Sequence, residues 1–82
     1  MRPAFIFVLY AVRHLGQAKV PSLVSFAKSV KYEVARSGIA EGCIFLASVG
    51  LLDCSDGVYS VSSFGRSFLA DIRLFLRYKR LK

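Results

Sequence analysis

The chain has 82 residues, of which 55% are hydrophobic, and its formal net charge is +7. This length predicts a single small domain, 1–82, and the positive charge favours a phosphate-bearing, lipid or acidic protein partner over a basic one. The longest apolar run, residues 4–12, is too short for a transmembrane helix of roughly 20 apolar residues, and no signal-peptide cleavage site follows it. We therefore expect a cytoplasmic protein.

A first helix is predicted over about 3–15. Pro3 suits the first turn of a helix, and Gly16 suits its end. The helix is apolar on two faces, and both must be packed against other parts of the protein or a partner. We expect one face to pack on the domain core and the other on a second copy of the chain, because so small and apolar a domain cannot hide all of its apolar surface. The second face holds Ile6, Phe7 and Tyr10.

Two further helices are predicted in the next part of the chain. Residues 18–20 are a short extended candidate, and Pro21 followed by Ser22 begins a second helix over about 21–30. Apolar residues then recur at helical spacing over about 34–49, which predicts a third helix. The turn between them lies either at 31–33 or at 37–38, where Gly38 would cost about 1 kcal/mol inside a helix.

A tight hairpin is predicted over 51–61. Gly50 suits the end of the third helix, and two short strand candidates, 51–54 and 58–61, flank an Asp56-Gly57 pair that favours positive backbone angles. A last helix follows over about 63–80, with a serine before it as a possible N-cap. The chain is thus predicted to be an α+β domain.

Positive charge is concentrated in the two ends of the chain. Residues 1–36 carry a net charge of +5, residues 37–65 carry −3, and residues 66–82 carry +5. The cations near the end of the last helix have three interpretations: they reach phosphates, they complement the helix macrodipole in solvent, or they lie on an anionic membrane surface. These cations include Arg77, Lys79 and Arg80.

The sequence shows no catalytic or metal-binding pattern. Cys43 and Cys54 lack the paired spacing of a zinc site, so buried free thiols are expected, although a single bridge between them stays open. His14 is the single histidine and has no clustered ligands near it. We expect no enzymatic activity, no cofactor and no metal.

The order of helix, short strand, two helices, hairpin and helix resembles the winged helix-turn-helix regulators of the MarR type and small archaeal or archaeal-virus DNA-binding proteins. The resemblance covers nearly the whole chain. It is most specific in residues 45–69, FLASVGLLDCSDGVYSVSSFGRSFL, where Gly-Leu, an acidic hairpin and a serine before a Gly-Arg pair follow in order. A weaker match lies in residues 18–30, AKVPSLVSFAKSV.

The resemblance implies a homodimeric transcription regulator that binds double-stranded DNA. Its third helix would enter the major groove, its hairpin would serve as the wing, and its second helix would be short, which favours the turn at 31–33. The residues that it assigns to DNA are Ser22, Lys28, Lys31, Tyr32, Arg36, Ser37, Ala40, Glu41 and Ser55. Those that it assigns to a dimer interface of the first and last helices are Ile6, Phe7, Tyr10, Leu74, Phe75 and Tyr78.

The wing of this chain departs from the family pattern. It carries Asp53 and Asp56 and no basic residue, and carboxylates repel phosphate. Tyr32 and Arg66 each have a second interpretation, as a half-buried turn residue and as a structural contact to the hairpin. Two alternative functions therefore stay open: a winged-helix module for protein interaction, and a non-specific architectural DNA-binding protein.

Overall fold

Four helices and three short strands follow one another in the part of the chain that the structure describes. The computed structural model describes the backbone of residues 2–80 and the side chains of residues 2–71. The sequence prediction of an α+β chain is confirmed. The elements are α1 (Pro3–Leu15), β1 (Gln17–Ala18), α2 (Val20–Ser29), α3 (Arg36–Ser48), β2 (Leu52–Ser55), β3 (Val58–Val61) and α4 (Ser63–Arg80).

The second helix begins and ends slightly earlier than the sequence suggests. Val20, expected to be extended, is the first residue of α2, because Lys19 before it takes the extended N-cap conformation. The turn to α3 occupies residues 30–35, so the alternative turn at 37–38 is wrong. Gly38 instead lies in the first turn of α3.

The end of α3 is closed by backbone hydrogen bonds that depend on one glycine. The Leu51 amide donates to the Leu46 carbonyl at 2.9 Å, and the Gly50 amide donates to the Ala47 carbonyl at 3.2 Å. Gly50 has a φ of 83°, which glycine adopts without a Cβ penalty. This pattern is the Schellman motif, and it confirms Gly50 as the terminator of the helix.

The three strands form one antiparallel sheet in the order β1-β3-β2. Leu52 pairs with Val61 and Cys54 with Tyr59, on either side of a turn in which Asp56 and Gly57 both have positive φ. Side chains alternate between the faces of a sheet, so one face carries buried Leu52 while the other carries Gln17, Asp53 and Ser60 toward solvent.

The core lies between α1, α3 and the inner face of the sheet. Among the described side chains, every fully buried one is apolar or a cysteine, and no charged group is buried with them. The helix α1 crosses α3 at Gly42, where an added Cβ would lie 3.0 Å from the Phe5 ring. The buried residues are Val8, Leu9, Ala11, Val12, Ala18, Leu23, Ala27, Ile39, Cys43, Leu46, Leu51, Leu52 and Leu69.

The two cysteines occupy different environments. Both are free thiols; Cys43 is buried in the core, while Cys54 is exposed. The expectation that Cys54 is buried is therefore wrong, because β2 leaves the core after Leu52 and only its first residue is covered. Burial, and to a smaller extent the charge of the neighbouring Cys54 thiolate, raises the pKa of Cys43 to about 11.

The junction between hairpin and α4 is tightly packed. Ser62 caps α4, since the Gly65 amide donates to Ser62 Oγ at 3.0 Å, and Ser62 Oγ in turn donates to the Gly50 carbonyl at 2.5 Å. A Cβ on Gly65 would overlap the Leu51 carbonyl oxygen. The serine N-cap predicted from sequence is confirmed, and the Gly-Arg pair begins with a glycine that the backbone contact requires.

Within residues 2–80, none of the helices combines the length and the apolar character that crossing a bilayer demands.

We predict that Gly65→Ala destabilises the fold by about 2 kcal/mol or more, because the new methyl group overlaps the Leu51 carbonyl and forces the packed backbone to shift. Urea denaturation measures the change. Gly38→Ala is the matched control: its Cβ meets only the Val34 side chain at 3.2 Å, and alanine is the better helix former. A Gly65→Ala protein as stable as the parent would refute this account of the junction.

We predict that a thiol reagent labels Cys54 rapidly and Cys43 only on unfolding, because Cys43 is buried and holds its proton at neutral pH. Mass spectrometry of the labelled protein, with and without urea, measures both rates. In Cys54→Ser the folded protein should stay unlabelled. Equal labelling of both cysteines in the folded chain would contradict the buried position of Cys43.

Candidate nucleic-acid interface

The helix α3 presents a solvent-facing side along most of its length. Its opposite side is buried in the core through Ile39, Cys43 and Leu46. The side predicted from sequence to face away from the core does so: Ala40 is half-buried, and the others are exposed. The exposed ones are Arg36, Ser37, Glu41 and Ile44.

The acidic residue on this side has a partner that the sequence did not suggest. Arg2, just before α1, lies 3.8 Å from Glu41, and its guanidinium also lies over the Phe5 ring at 5.7 Å from the centroid. Both charged side chains are largely exposed, so the pair contributes little stability. It does reduce the negative charge that Glu41 would turn toward a polyanion. No local pattern joins residues so far apart in the chain.

Three exposed cations surround the turn between α2 and α3: Lys28, Lys31 and Arg36, here called the turn cations. Arg2 and Glu41 form the one ion pair found among residues 2–71, and all five acidic side chains of the protein lie within that range. None of the turn cations therefore has a carboxylate within ion-pair distance. Their charge is available to a ligand.

Lys31 holds an unusual backbone conformation. Its φ is 58°, in the left-handed region, and it closes α2 in the way that Gly50 closes α3. The Tyr32 amide donates to the Ala27 carbonyl at 2.9 Å, and the Lys31 amide donates to the Lys28 carbonyl at 3.1 Å. A lysine is strained at this position, where glycine is the common residue. Backbone strain of this kind is common at functional sites.

The helices α2 and α3 both begin without a side-chain cap. Neither Lys19 nor Ala35, their N-cap residues, makes a side-chain capping hydrogen bond, and neither first turn contains an acidic residue. Ser22, predicted to contact DNA, is exposed in the first turn of α2. Amide groups at uncapped helix N-termini can donate to phosphate oxygens.

Tyr32 packs inside the chain. Its ring stacks on Phe7 with centroids 4.2 Å apart and planes 2° apart, and Phe26 lies beyond Phe7 at 6.1 Å. The half-buried turn interpretation of Tyr32 is thus the one that the packing favours. Phe7, predicted to face a second copy of the chain, contacts Tyr32 and Phe26 of its own chain through this stack.

Of the other residues predicted for a dimer interface, the structure describes the side chains of only those on α1. Ile6 and Tyr10 are half-buried on α1, and Tyr10 packs against the core. The side chains of Leu74, Phe75 and Tyr78 lie outside the described residues, as do those of the cations Arg77, Lys79 and Arg80.

The hairpin tip is acidic. Ser55, predicted to contact DNA, is exposed, and Asp53 and Asp56 are exposed beside it. No lysine or arginine lies in β2, in β3 or in the turn between them. The hairpin itself therefore offers phosphate no cation.

The C-terminal half of α3 exposes apolar side chains that the sequence did not single out as a site. Ile44 is 66% exposed, Val49 44% and Phe45 38%, and the Phe45 ring stacks on Phe5 with centroids 5.1 Å apart. The helical periodicity pointed to Ile44 as outward-facing, but the exposure of Phe45 depends on how α1 crosses α3. The exposed side of α3 is thus polar at its start and apolar at its end.

No protein-family model matches the chain, and comparison with curated proteins and with solved structures finds no significant match.

We predict that Lys31→Gly raises the free energy of unfolding by about 0.5–1 kcal/mol, because glycine removes the Cβ strain at a φ of 58°. Lys31→Ala is the control, since it removes the ammonium group but keeps the strained Cβ. Urea denaturation of both variants separates the two effects. A glycine variant no more stable than the alanine variant would argue against strain at this turn.

Proposed function

We propose that the chain is a winged-helix protein that binds double-stranded DNA. The observation that carries this proposal is the position of the turn cations, unpaired with any described carboxylate, at the start of the exposed side of α3. The element order and the sheet order β1-β3-β2 suit a winged-helix layout, in which the third helix is the one that enters the major groove.

In this proposal the start of α3 reads the bases. Arg36 and Ser37 lie in the first turn of α3, the part of a recognition helix that reaches base edges. An arginine there donates two hydrogen bonds to guanine, and a serine accepts or donates to several bases. Glu41 lies one turn further along, and its pairing with Arg2 lowers its repulsion of the phosphates.

Both ends of α2 would contact the phosphate backbone. Lys28 and Lys31 are exposed at the end of α2 and in the turn that follows it, and a lysine on a phosphate adds affinity without sequence preference. Ser22 and the free amides of the first turn of α2 donate to a neighbouring phosphate. The acidic hairpin takes no part in holding phosphate.

We further propose that the protein acts as a homodimer and regulates transcription. A twofold dimer would place two α3 helices in successive major grooves, so its site would be an inverted repeat with half-sites about 10 bp apart or a multiple of it. The apolar content of so short a chain supports a partner subunit.

The test is a fluorescence-anisotropy titration with a random duplex and with duplexes selected from a random pool. We predict that Lys28→Ala weakens binding to all duplexes and lowers the slope of log affinity against log salt by about 1, because one phosphate contact is lost. Arg36→Ala should weaken binding chiefly to the selected sequence, by about 1–3 kcal/mol. Arg13→Gln, which removes one positive charge in the last turn of α1, is the matched control. Affinities that are equal in all variants and independent of salt would defeat the proposal.

The apolar end of α3 supports a second candidate, a winged-helix module that docks on a protein. Ile44, Phe45 and Val49 are exposed apolar residues close together in the chain, and exposed apolar patches are typical of protein-binding sites. In the same titration, absence of binding to any duplex at low salt would favour this candidate. Binding of equal strength to every duplex would instead favour non-specific architectural coating.

A further inference from the structure

A groove lined by two arginines lies beside β3, and none of the turn cations lines it. Its volume is about 480 Å³, within the range of small-molecule sites. It is bounded by the end of α1, by β3 and by the start of α4. Its lining residues, here called the arginine groove, are Arg13, Gly16, Ser60, Val61 and Arg66.

Two glycines bring these arginines together from opposite ends of the chain. Gly16, with a φ of 83°, ends α1 and lets the next residue, Gln17, pair with Ser60 of β3. Gly65 lets α4 approach the Leu51 carbonyl, so Arg66 begins beside the same strand. The convergence of Arg13 and Arg66 thus depends on the positive φ of Gly16 and on the close backbone contact at Gly65.

The groove has donors but no carboxylate. Arg13 and Arg66 are both exposed, and no acidic residue lies among the lining side chains or within ion-pair distance of either guanidinium in residues 2–71. Ser60 adds a hydroxyl group on the strand between them. Guanidinium groups and hydroxyls are the donors that recognise phosphate oxygens, and arginine offers two parallel hydrogen bonds to one phosphate.

The face of the sheet that carries Ser60 is acidic nearer the hairpin tip. A second groove of about 390 Å³, which also includes Ser60, is lined by Asp53 and Asp56. Asp53 is the cross-strand partner of Ser60, so a long polyanion lying over the sheet would meet carboxylates, whereas a compact anion can lie between Arg13 and Arg66, which do not line this second groove. The charge pattern therefore favours a small ligand over a nucleic-acid backbone.

From this geometry we propose that the arginine groove binds the dianionic phosphate of a small phosphomonoester. The phosphate oxygens accept from Arg13 and Arg66, and the Ser60 hydroxyl donates a further hydrogen bond. The remainder of the ligand occupies the rest of the groove along β3. This site is separate from the proposed DNA-binding face and does not depend on it.

The test uses the isotopically labelled full chain, titrated at low ionic strength with phenyl phosphate, a dianionic monoester, and with dimethyl phosphate, a monoanionic diester. We expect saturable amide shifts at Gly16, Ser60, Val61 and Arg66, and about ten-fold tighter binding of the monoester. Arg13→Gln and Arg66→Gln should each weaken that binding about ten-fold or more, as loss of a charge-assisted hydrogen bond implies. Arg66→Lys, which keeps the charge but loses the fork, should give an intermediate loss.

Two controls separate this site from the proposed function. Arg36→Gln should leave phenyl phosphate binding unchanged, and phenyl phosphate binding that survives in a chain with no affinity for duplex DNA still supports the groove. Shifts that do not saturate, or binding equally strong in both groove variants, would overturn the proposal. It would also be overturned if Arg13→Gln and Arg66→Gln weakened duplex binding as much as Lys28→Ala while phenyl phosphate failed to bind.

Discussion

The arrangement of the molecule depends on the close contact between α4 and the chain at residues 50–52. Ser62 joins the N-terminus of α4 to the Gly50 carbonyl, and Gly65 packs directly on the Leu51 backbone. Because Leu51 also hydrogen-bonds the last turn of α3, this one junction connects α3, the hairpin and α4. It sets where the exposed side of α3 lies relative to the sheet, and it brings Arg66 beside β3.

The fold separates the charges of the chain into regions of different character. Lys28, Lys31 and Arg36 lie together at the turn between α2 and α3, whereas Asp53 and Asp56 occupy the hairpin tip. Electrostatic attraction of a polyanion falls off within about 10 Å at 0.1 M salt. Where a polyanion binds therefore depends more on the positions of these groups than on the net charge of +7. A protein with this pattern attracts phosphate to the turn and repels it from the hairpin, which is why the proposed DNA contact relies on α2 and α3.

Local signals made the hairpin and helix ends predictable from sequence. Gly50, the Asp56-Gly57 pair and Ser62 each act through their own backbone conformation or nearest hydrogen bond, so their residue types indicate the structure directly. The apolar periodicity predicts that α3 begins at 34, two residues before its observed start at Arg36, because the periodicity continues into the turn. Lys31 shows the limit of such signals: it takes a left-handed conformation that its residue type does not suggest.

Features that depend on contacts between distant residues could not be predicted from the sequence. The pairing of Arg2 with Glu41, the stack of Phe7 on Tyr32 and the exposure of Cys54 all depend on how helices cross and where the sheet leaves the core. The arginine groove has the same origin, since Arg13 and Arg66 meet only through the pairing of β1 with β3. These features carry no periodicity or spacing that a reader of the sequence would recognise.

The most direct test of the proposed DNA-binding face is to map amide chemical-shift changes as a selected duplex is added to the labelled protein. The proposal predicts changes concentrated in residues 28–37 and at Ser22, with the lining of the arginine groove unaffected. Changes centred on the hairpin tip, on the groove or on the apolar end of α3, with the turn between α2 and α3 silent, would contradict it.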